Sequence, residues 1–128
     1  MQDDVKEFMI ASGQTVYTNN SKQSNLYDSL IAEEYDEFCE AIEADDAVET
    51  LDACMDMIWV ILGYCYSRGF KIDEAWAEVA RSNLSKIDTV SGKVLKRADG
   101  KILKPDNWTP PNLTDCVLNK RLTFSDTV

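Results

Sequence analysis

The sequence predicts an all-α fold: four helices, the middle pair forming an antiparallel hairpin, with one short β-hairpin near the C-terminus. Tyr27, Ile31, Tyr35, Phe38 and Ile42 recur at intervals of 4, 4, 3 and 4, and Val48, Leu51, Met55, Ile58, Leu62 and Cys65 at 3, 4, 3, 4 and 3. Each set lines one face of a helix. Only a few residues around Asp45-Asp46 separate the two stripes, so the helices are consecutive antiparallel neighbours. The β-hairpin rests on Asp99-Gly100, which stands between short apolar runs flanked by lysines, Lys93 to Lys96 and Lys101 to Lys104.

The first helix is expected from about Asp3 to Ser12, with Val5, Phe8 and Met9 at helical spacing and Gly13 as its stop. Tyr17 to Gln23 is polar and reads as a loop. The second helix runs from about Ser24 to Ala44 and the third from about Asp46 to Ser67. After Arg68-Gly69-Phe70 a fourth starts near Ile72-Asp73 and carries Trp76, Val79, Ala80, Leu84 and Ile87. Beyond Leu113 no period is evident, and the tail is either extended or laid against another subunit.

With 128 residues, 45% of them hydrophobic, one domain is expected, its core over about residues 5–90 and its hairpin and tail over 91–128. No stretch approaches the roughly 20 apolar residues of a membrane span. The charged start, Met-Gln-Asp-Asp-Val-Lys-Glu, lacks a signal peptide's apolar centre, so a cytoplasmic protein is expected. Cys39, Cys54, Cys65 and Cys116 form no CxxC pair, and the first three fall in helical patterns, as reduced core thiols would. There is no histidine. That removes Ser-His and Cys-His nucleophiles, a histidine base and an ordinary zinc site, leaving carboxylates, hard metal ions, lysine and arginine.

The net charge of −10 is uneven: residues 1–80 hold 18 acidic against 4 basic side chains, and residues 81–121 hold 4 against 9. Such a division suits divalent cations in one region and phosphates in another, or else a solvated acidic surface with a basic tail. An acidic surface repels nucleic acid. The apolar stripes locate the acids beside them. Glu34 and Glu37 lie one turn apart on one edge of the second helix, and Glu49, Asp52, Asp56 and Trp59 form a row on the third. In an antiparallel hairpin these edges face across a groove, where carboxylates about 4 Å apart repel by roughly 4 kcal/mol at an effective dielectric of 20. Oxygen-only donors select hard ions such as Mg²⁺. Further on, Arg81, Asn83 and Lys86 place cationic and amide donors at the end of the fourth helix, suited either to phosphate oxygens or to the helix dipole.

The segment Ile31-Ala32-Glu33-Glu34-Tyr35-Asp36-Glu37 resembles the EExxE helix of the MazG-like all-α nucleoside triphosphate pyrophosphohydrolase superfamily. Asp52 to Trp59 is similar to its second acidic helix, Ser82-Asn83-Leu84-Ser85-Lys86 to its SNxSK element, and Ala98 to Lys104 through Pro110-Pro111 to the ending of its short, often phage-encoded members. The resemblance implies Mg²⁺-dependent hydrolysis, with Mn²⁺ as a substitute, of a nucleoside triphosphate to monophosphate and pyrophosphate. Position 53, where the superfamily's ExxD motif has its glutamate, is alanine here. Metal ligands are therefore expected at Glu34, Glu37, Asp56 and Asp52, with Glu49 as the alternative to Asp52. Glu33 or Glu37 would take the proton of the attacking water. Arg81 and Lys86 would meet the pyrophosphate, helped by Lys101 and Lys104, with Asn83 orienting an oxygen or the ribose. Trp59 serves either to stack on the base or to pack in the core, and Gln14 and Asn25 offer amide hydrogen bonds to the base edge. Relatives close the open groove by pairing hairpins, which implies a homodimer or homotetramer. Phosphoribosyl-ATP pyrophosphohydrolase is the nearest alternative, and a non-catalytic acidic helical binding protein one of a different class.

Overall fold

Asn20 and Asp46 fix the starts of the two long helices in the computed structural model, which describes residues 1–117. The Asn20 side chain accepts the Gln23 N–H at 3.1 Å and starts α2 (Ser21–Glu43) three residues ahead of the expected Ser24. Asp46 accepts the Glu49 N–H at 3.1 Å and starts α3 (Ala47–Ser67). Each cap satisfies a backbone donor that the first helical turn cannot. With α1 (Gln2–Ala11) and α4 (Ile72–Leu84), these make the four expected helices. By internal contacts the described chain divides into two compact units, residues 1–72 with Val117, and residues 73–116.

In the first unit α1, α2 and α3 end alike. After α1 the Gln14 N–H reaches back to Met9 O at 2.9 Å, after α2 Asp46 to Ala41 at 3.1 Å, and after α3 Phe70 to Cys65 at 3.0 Å, each around a left-handed residue. That residue is Gly13 in α1 and Gly69 in α3, but in α2 it is Asp45 at φ 53°. The three carbonyls are satisfied in the same way, and Asp45 alone carries a Cβ into a region that favours glycine.

α3 is the central helix of this unit, with α2 and α1 against it. α1 runs antiparallel to it: Tyr66 Oη donates to Gln2 O at 3.1 Å at one end, and Phe8 meets Trp59 edge-on at 5.7 Å at the other. Val5, Met9, Tyr27, Val60 and Tyr66 form the core, each burial worth roughly 1.5–3 kcal/mol for the aliphatic members. Gly63 admits the Tyr27 ring directly onto the α3 backbone, where a methyl group would run into the ring. The predicted stripes are only partly covered. Tyr35, Ile42, Leu51 and Met55 are exposed and Val48 is 77% exposed, because the short α1 covers only the other end of the hairpin. Cys39 is likewise exposed rather than in the core, whereas Cys54 and Cys65 are half-buried, Cys116 is buried, and all four are free thiols.

In the second unit α4 stops at Leu84, short of the expected Ile87. Ser85 Oγ bonds to Ser82 O at 2.7 Å, and Lys86 N–H to Asn83 O at 3.2 Å, closing the helix with tight turns. The Pro-rich stretch at 105–112 then lies along α4. Trp108 Nε1 donates to Ser82 O at 3.0 Å, Ser82 Oγ to Thr109 O at 2.9 Å, and Asn112 N–H to Glu78 Oε1 at 3.0 Å. The expected β-hairpin is corrected. The chain turns at Ala98 to Gly100, but Lys96 and Ile102 make only an isolated antiparallel bridge, and no strand forms among the described residues. Arg97 and Asp99 pair at 2.6 Å, Leu95, Ile102 and Leu103 stay exposed, and Pro105 cannot donate to a ladder, so there is no buried face to extend the pairing. The tail beyond Leu113 makes one 3₁₀ turn, Thr114–Cys116, and residues 118–128 lie outside the described residues.

Candidate functional site

The register of the α2–α3 hairpin decides which acids meet. Tyr27 stands against Gly63. Seven residues further along α2 and seven back along α3 are Glu34 and Asp56, which the antiparallel register sets opposite each other. Carboxylate oxygens of Glu34, Glu37 and Asp56 lie within 4.8 Å of one another. Ala53, at the same register opposite Glu37, is buried. Its small side chain fits against the seam where the superfamily pattern has a longer acid.

Glu34 and Asp56 are both half-buried, and Glu37 is exposed. Glu34 carries the buried oxygen. Its Oε2 is closed off from solvent and has no hydrogen-bond donor. Burial holds its carboxyl above the usual range, followed by the charge of Glu37, a carboxyl–carboxyl hydrogen bond with Glu37, and the charges of Asp56 and Asp52. Asp56 is raised as well, first by burial, then by Asp52 and Glu37. Asp52 therefore acts on both. Glu49 is not among the charges that shift them, and it lies two turns from Asp56, about 10 Å along the helix at 1.5 Å per residue. A buried acceptor without a donor, beside like charges, fits a hard cation with oxygen ligands.

The other candidates divide between the units. In the first, Glu33 is exposed on α2 next to Glu34, and Asn25 is exposed two turns earlier. Trp59 is 36% exposed with its edge contact to Phe8, so it is neither fully core nor free. Gln14 Oε1 accepts the Tyr27 hydroxyl at 2.7 Å. In the second unit, Arg81 makes a two-pronged pair with Glu78, at 3.0 and 2.8 Å, and reaches Pro110 O at 3.4 Å. Glu78 is held down to about 2 by Arg81 and then by the Asn112 N–H. Asn83 Oδ1 accepts Lys86 Nζ at 3.1 Å. The Lys101 N–H donates to Asp99 Oδ1 at 3.0 Å while its side chain is exposed. The Lys86 and Lys104 ammoniums both stand over the Trp108 ring. Sequence reasoning missed two features here. The Glu78–Arg81 pair was visible as an i, i+3 spacing. Trp108, 26 residues from the carbonyl it binds, gave no local signal.

A model of the phosphoribosyl-ATP pyrophosphohydrolase family matches residues 2–83. The chain belongs to this family. The pyrophosphohydrolase family falls within the MazG-like all-α superfamily, and its members are typically metal-dependent. The match spans both acidic helices and ends at Asn83, before Lys86 and the C-terminal segment. No curated protein matches the chain. Among the described residues no helix is long and apolar enough to cross a membrane.

Proposed function

We propose that the protein hydrolyses nucleoside triphosphates, ribo- or deoxyribo-, to the monophosphate and pyrophosphate, with Mg²⁺ held by Glu34, Glu37, Asp56 and Asp52. The observation that carries this reading is the Glu34 oxygen, buried and without a donor where carboxylates of α2 and α3 converge. Bound there, Mg²⁺, or Mn²⁺ in its place, supplies polarisation of the α-phosphate and a lowered pKa for water. The water oxygen bonds to the α-phosphorus, the bridging oxygen leaves with pyrophosphate, and a carboxylate oxygen of Glu33 or Glu37 takes the water's proton. Lys86, Lys101 and Lys104 supply positive charge for the pyrophosphate, with Asn83 for an oxygen or the ribose. Arg81 serves this role only by giving up part of its pairing with Glu78. Trp59 and the remaining amide donors of Gln14 are proposed for the base. Asp52 takes the place of the absent acid at position 53, as its influence on both Glu34 and Asp56 supports.

The exposed stripe of Tyr35, Ile42, Val48, Leu51 and Met55 supports a homodimer, or a tetramer built from it, in which a second copy covers this face. The Ala98 to Lys104 segment and Pro110-Pro111 support a phage-type member, for which action in the cytoplasm is proposed. The family match favours one second reading, phosphoribosyl-ATP as the nucleotide. Incubating the full chain with Mg²⁺ and each NTP, dNTP or phosphoribosyl-ATP distinguishes them. Monophosphate and pyrophosphate are expected from an NTP or dNTP, with loss in Glu37→Gln and Asp56→Asn. Turnover of phosphoribosyl-ATP alone selects the second reading, and turnover of none refutes both.

A further inference from the structure

Within the second unit, Trp108 holds two lysines from different parts of the sequence. The Lys104 ammonium lies 4.3 Å from the indole centroid and the Lys86 ammonium 5.5 Å, which keeps the two within about 10 Å of each other. Both distances fall inside the range of roughly 6 Å over which a cation is drawn to a ring face, and indole is the strongest such face. The ring is itself fixed, by its Nε1 on Ser82 O at 3.0 Å and by the Ser82 hydroxyl on the adjacent Thr109 O at 2.9 Å.

The charge environment separates these lysines from the arginines nearby. Arg81 is neutralised by Glu78 and Arg97 by Asp99. Neither Lys86 nor Lys104 has a carboxylate partner among the described residues, and Lys86 spends one of its three donors on Asn83. Two like charges drawn to one ring repel each other, and a ligand with two adjacent negative groups relieves that repulsion. A diphosphate is such a ligand. The ring also restricts two side chains that otherwise lose much rotamer freedom on binding.

We propose that Trp108 is a positioning residue that gathers Lys86 and Lys104 into a paired cation site for a diphosphate group. The assignment of that group to the substrate rests on the pyrophosphohydrolase reading above. The test is calorimetric binding of inorganic pyrophosphate to the full chain, in a double-mutant cycle of Trp108→Leu and Lys104→Gln. Each single change is expected to raise Kd about tenfold, the double change little more than either, and Trp108→Phe to recover most of the loss. In turnover, KM should rise more than kcat falls. A purely structural Trp108 would instead lower the melting temperature of Trp108→Leu with Kd unchanged, or give additive effects, and either result overturns the proposal.

Should Trp108→Leu not fold, Lys86→Gln and Lys104→Gln must each weaken pyrophosphate binding while Lys96→Gln, which is not one of the two lysines over the ring, does not. Equal losses in all three overturn the proposal. Coupled pyrophosphate binding without nucleotide hydrolysis refutes the pyrophosphohydrolase reading alone. Hydrolysis with an uncoupled cycle refutes the Trp108 site alone.

Discussion

Replacing Glu37 by glutamine should make the metal-free protein more stable and the Mg²⁺-loaded protein no more stable than that. The three carboxylates of the cluster approach within 4.8 Å. At this separation one pair of charges repels by about 0.9 kcal/mol in bulk water and about 3.5 kcal/mol at an effective dielectric of 20. Glu37 belongs to two of the pairs and is exposed, so the lower figure governs, and removing its charge relieves roughly 2 kcal/mol. Solvent and salt around these exposed groups screen part of this, which leaves about 1–2 kcal/mol. For a chain of this length that is a rise in Tm of roughly 3–8 °C. The amide introduced by Glu37→Gln can also donate to Glu34, which the native carboxylate cannot. The wild type should gain about 2.7 kcal/mol at a Mg²⁺ concentration 100 times Kd, and the variant almost none. Thermal unfolding in a chelator and across a Mg²⁺ series reads both quantities. A variant that melts at or below the metal-free wild type would show that Glu37 is not repelled by its neighbours, and one that keeps the full Mg²⁺ shift that it does not hold the metal.

Gly63→Ala gains up to about 1 kcal/mol in helix propensity but drives a methyl group into the buried Tyr27 ring. Overpacking of about 1–3 kcal/mol should win, so denaturant unfolding is expected to show a net loss. Asp45→Gly removes the left-handed penalty at the α2 C-terminus and should raise stability by about 1 kcal/mol in the same assay. Metal-free stability should also depend on pH. Glu34 and Asp56 have raised folded-state values, so their ionisation costs stability above those values, and the cost vanishes below the ordinary range. Glu78, Asp88 and Asp99 are lowered, so their contribution is present above the ordinary range and lost as pH falls towards the folded value, about 2 for Glu78. In chelator, Tm should therefore pass through a maximum in the ordinary carboxylate range, and Mg²⁺ should flatten its decline towards neutrality. Finally, Leu51→Glu should shift the protein to a smaller species in sedimentation, since it places a charge in the uncovered stripe.

The period of Tyr27 to Ile42 and of Val48 to Cys65 made the hairpin legible, because two stripes a few residues apart admit little besides antiparallel packing. The carboxylates were legible for the same reason: Glu34, Glu37 and Asp56 border those stripes. Spacing already favoured Asp52 over Glu49, since i and i+4 lie on one helix face, and the charge of Asp52 on both Glu34 and Asp56 supports that preference. The meeting of Glu34 with Asp56 needs the hairpin register, which the turn at Asp45 and the Tyr27–Gly63 approach set. Asp99-Gly100 was read as a tight hairpin turn, yet Asp99 is taken up by Arg97 and the Lys101 N–H, and the flanking apolar residues have nothing to pack on. Exposure of Val48, Leu51 and Met55 was hidden as well, because a stripe shows which face is apolar and not what covers it. Trp108 joins α4 only through long-range hydrogen bonds to an irregular, Pro-rich stretch, where no periodicity exists to be read.

In the proposed reaction the carboxylates of α2 and α3 serve attack by water at the α-phosphate. Hydrolysis of a nucleoside triphosphate in ¹⁸O-labelled water with Mg²⁺, followed by mass spectrometry of both products, tests it most directly. The label is expected in the nucleoside monophosphate, with unlabelled pyrophosphate and with no turnover by Asp56→Asn. Label in the pyrophosphate, or orthophosphate with nucleoside diphosphate as the products, would contradict it.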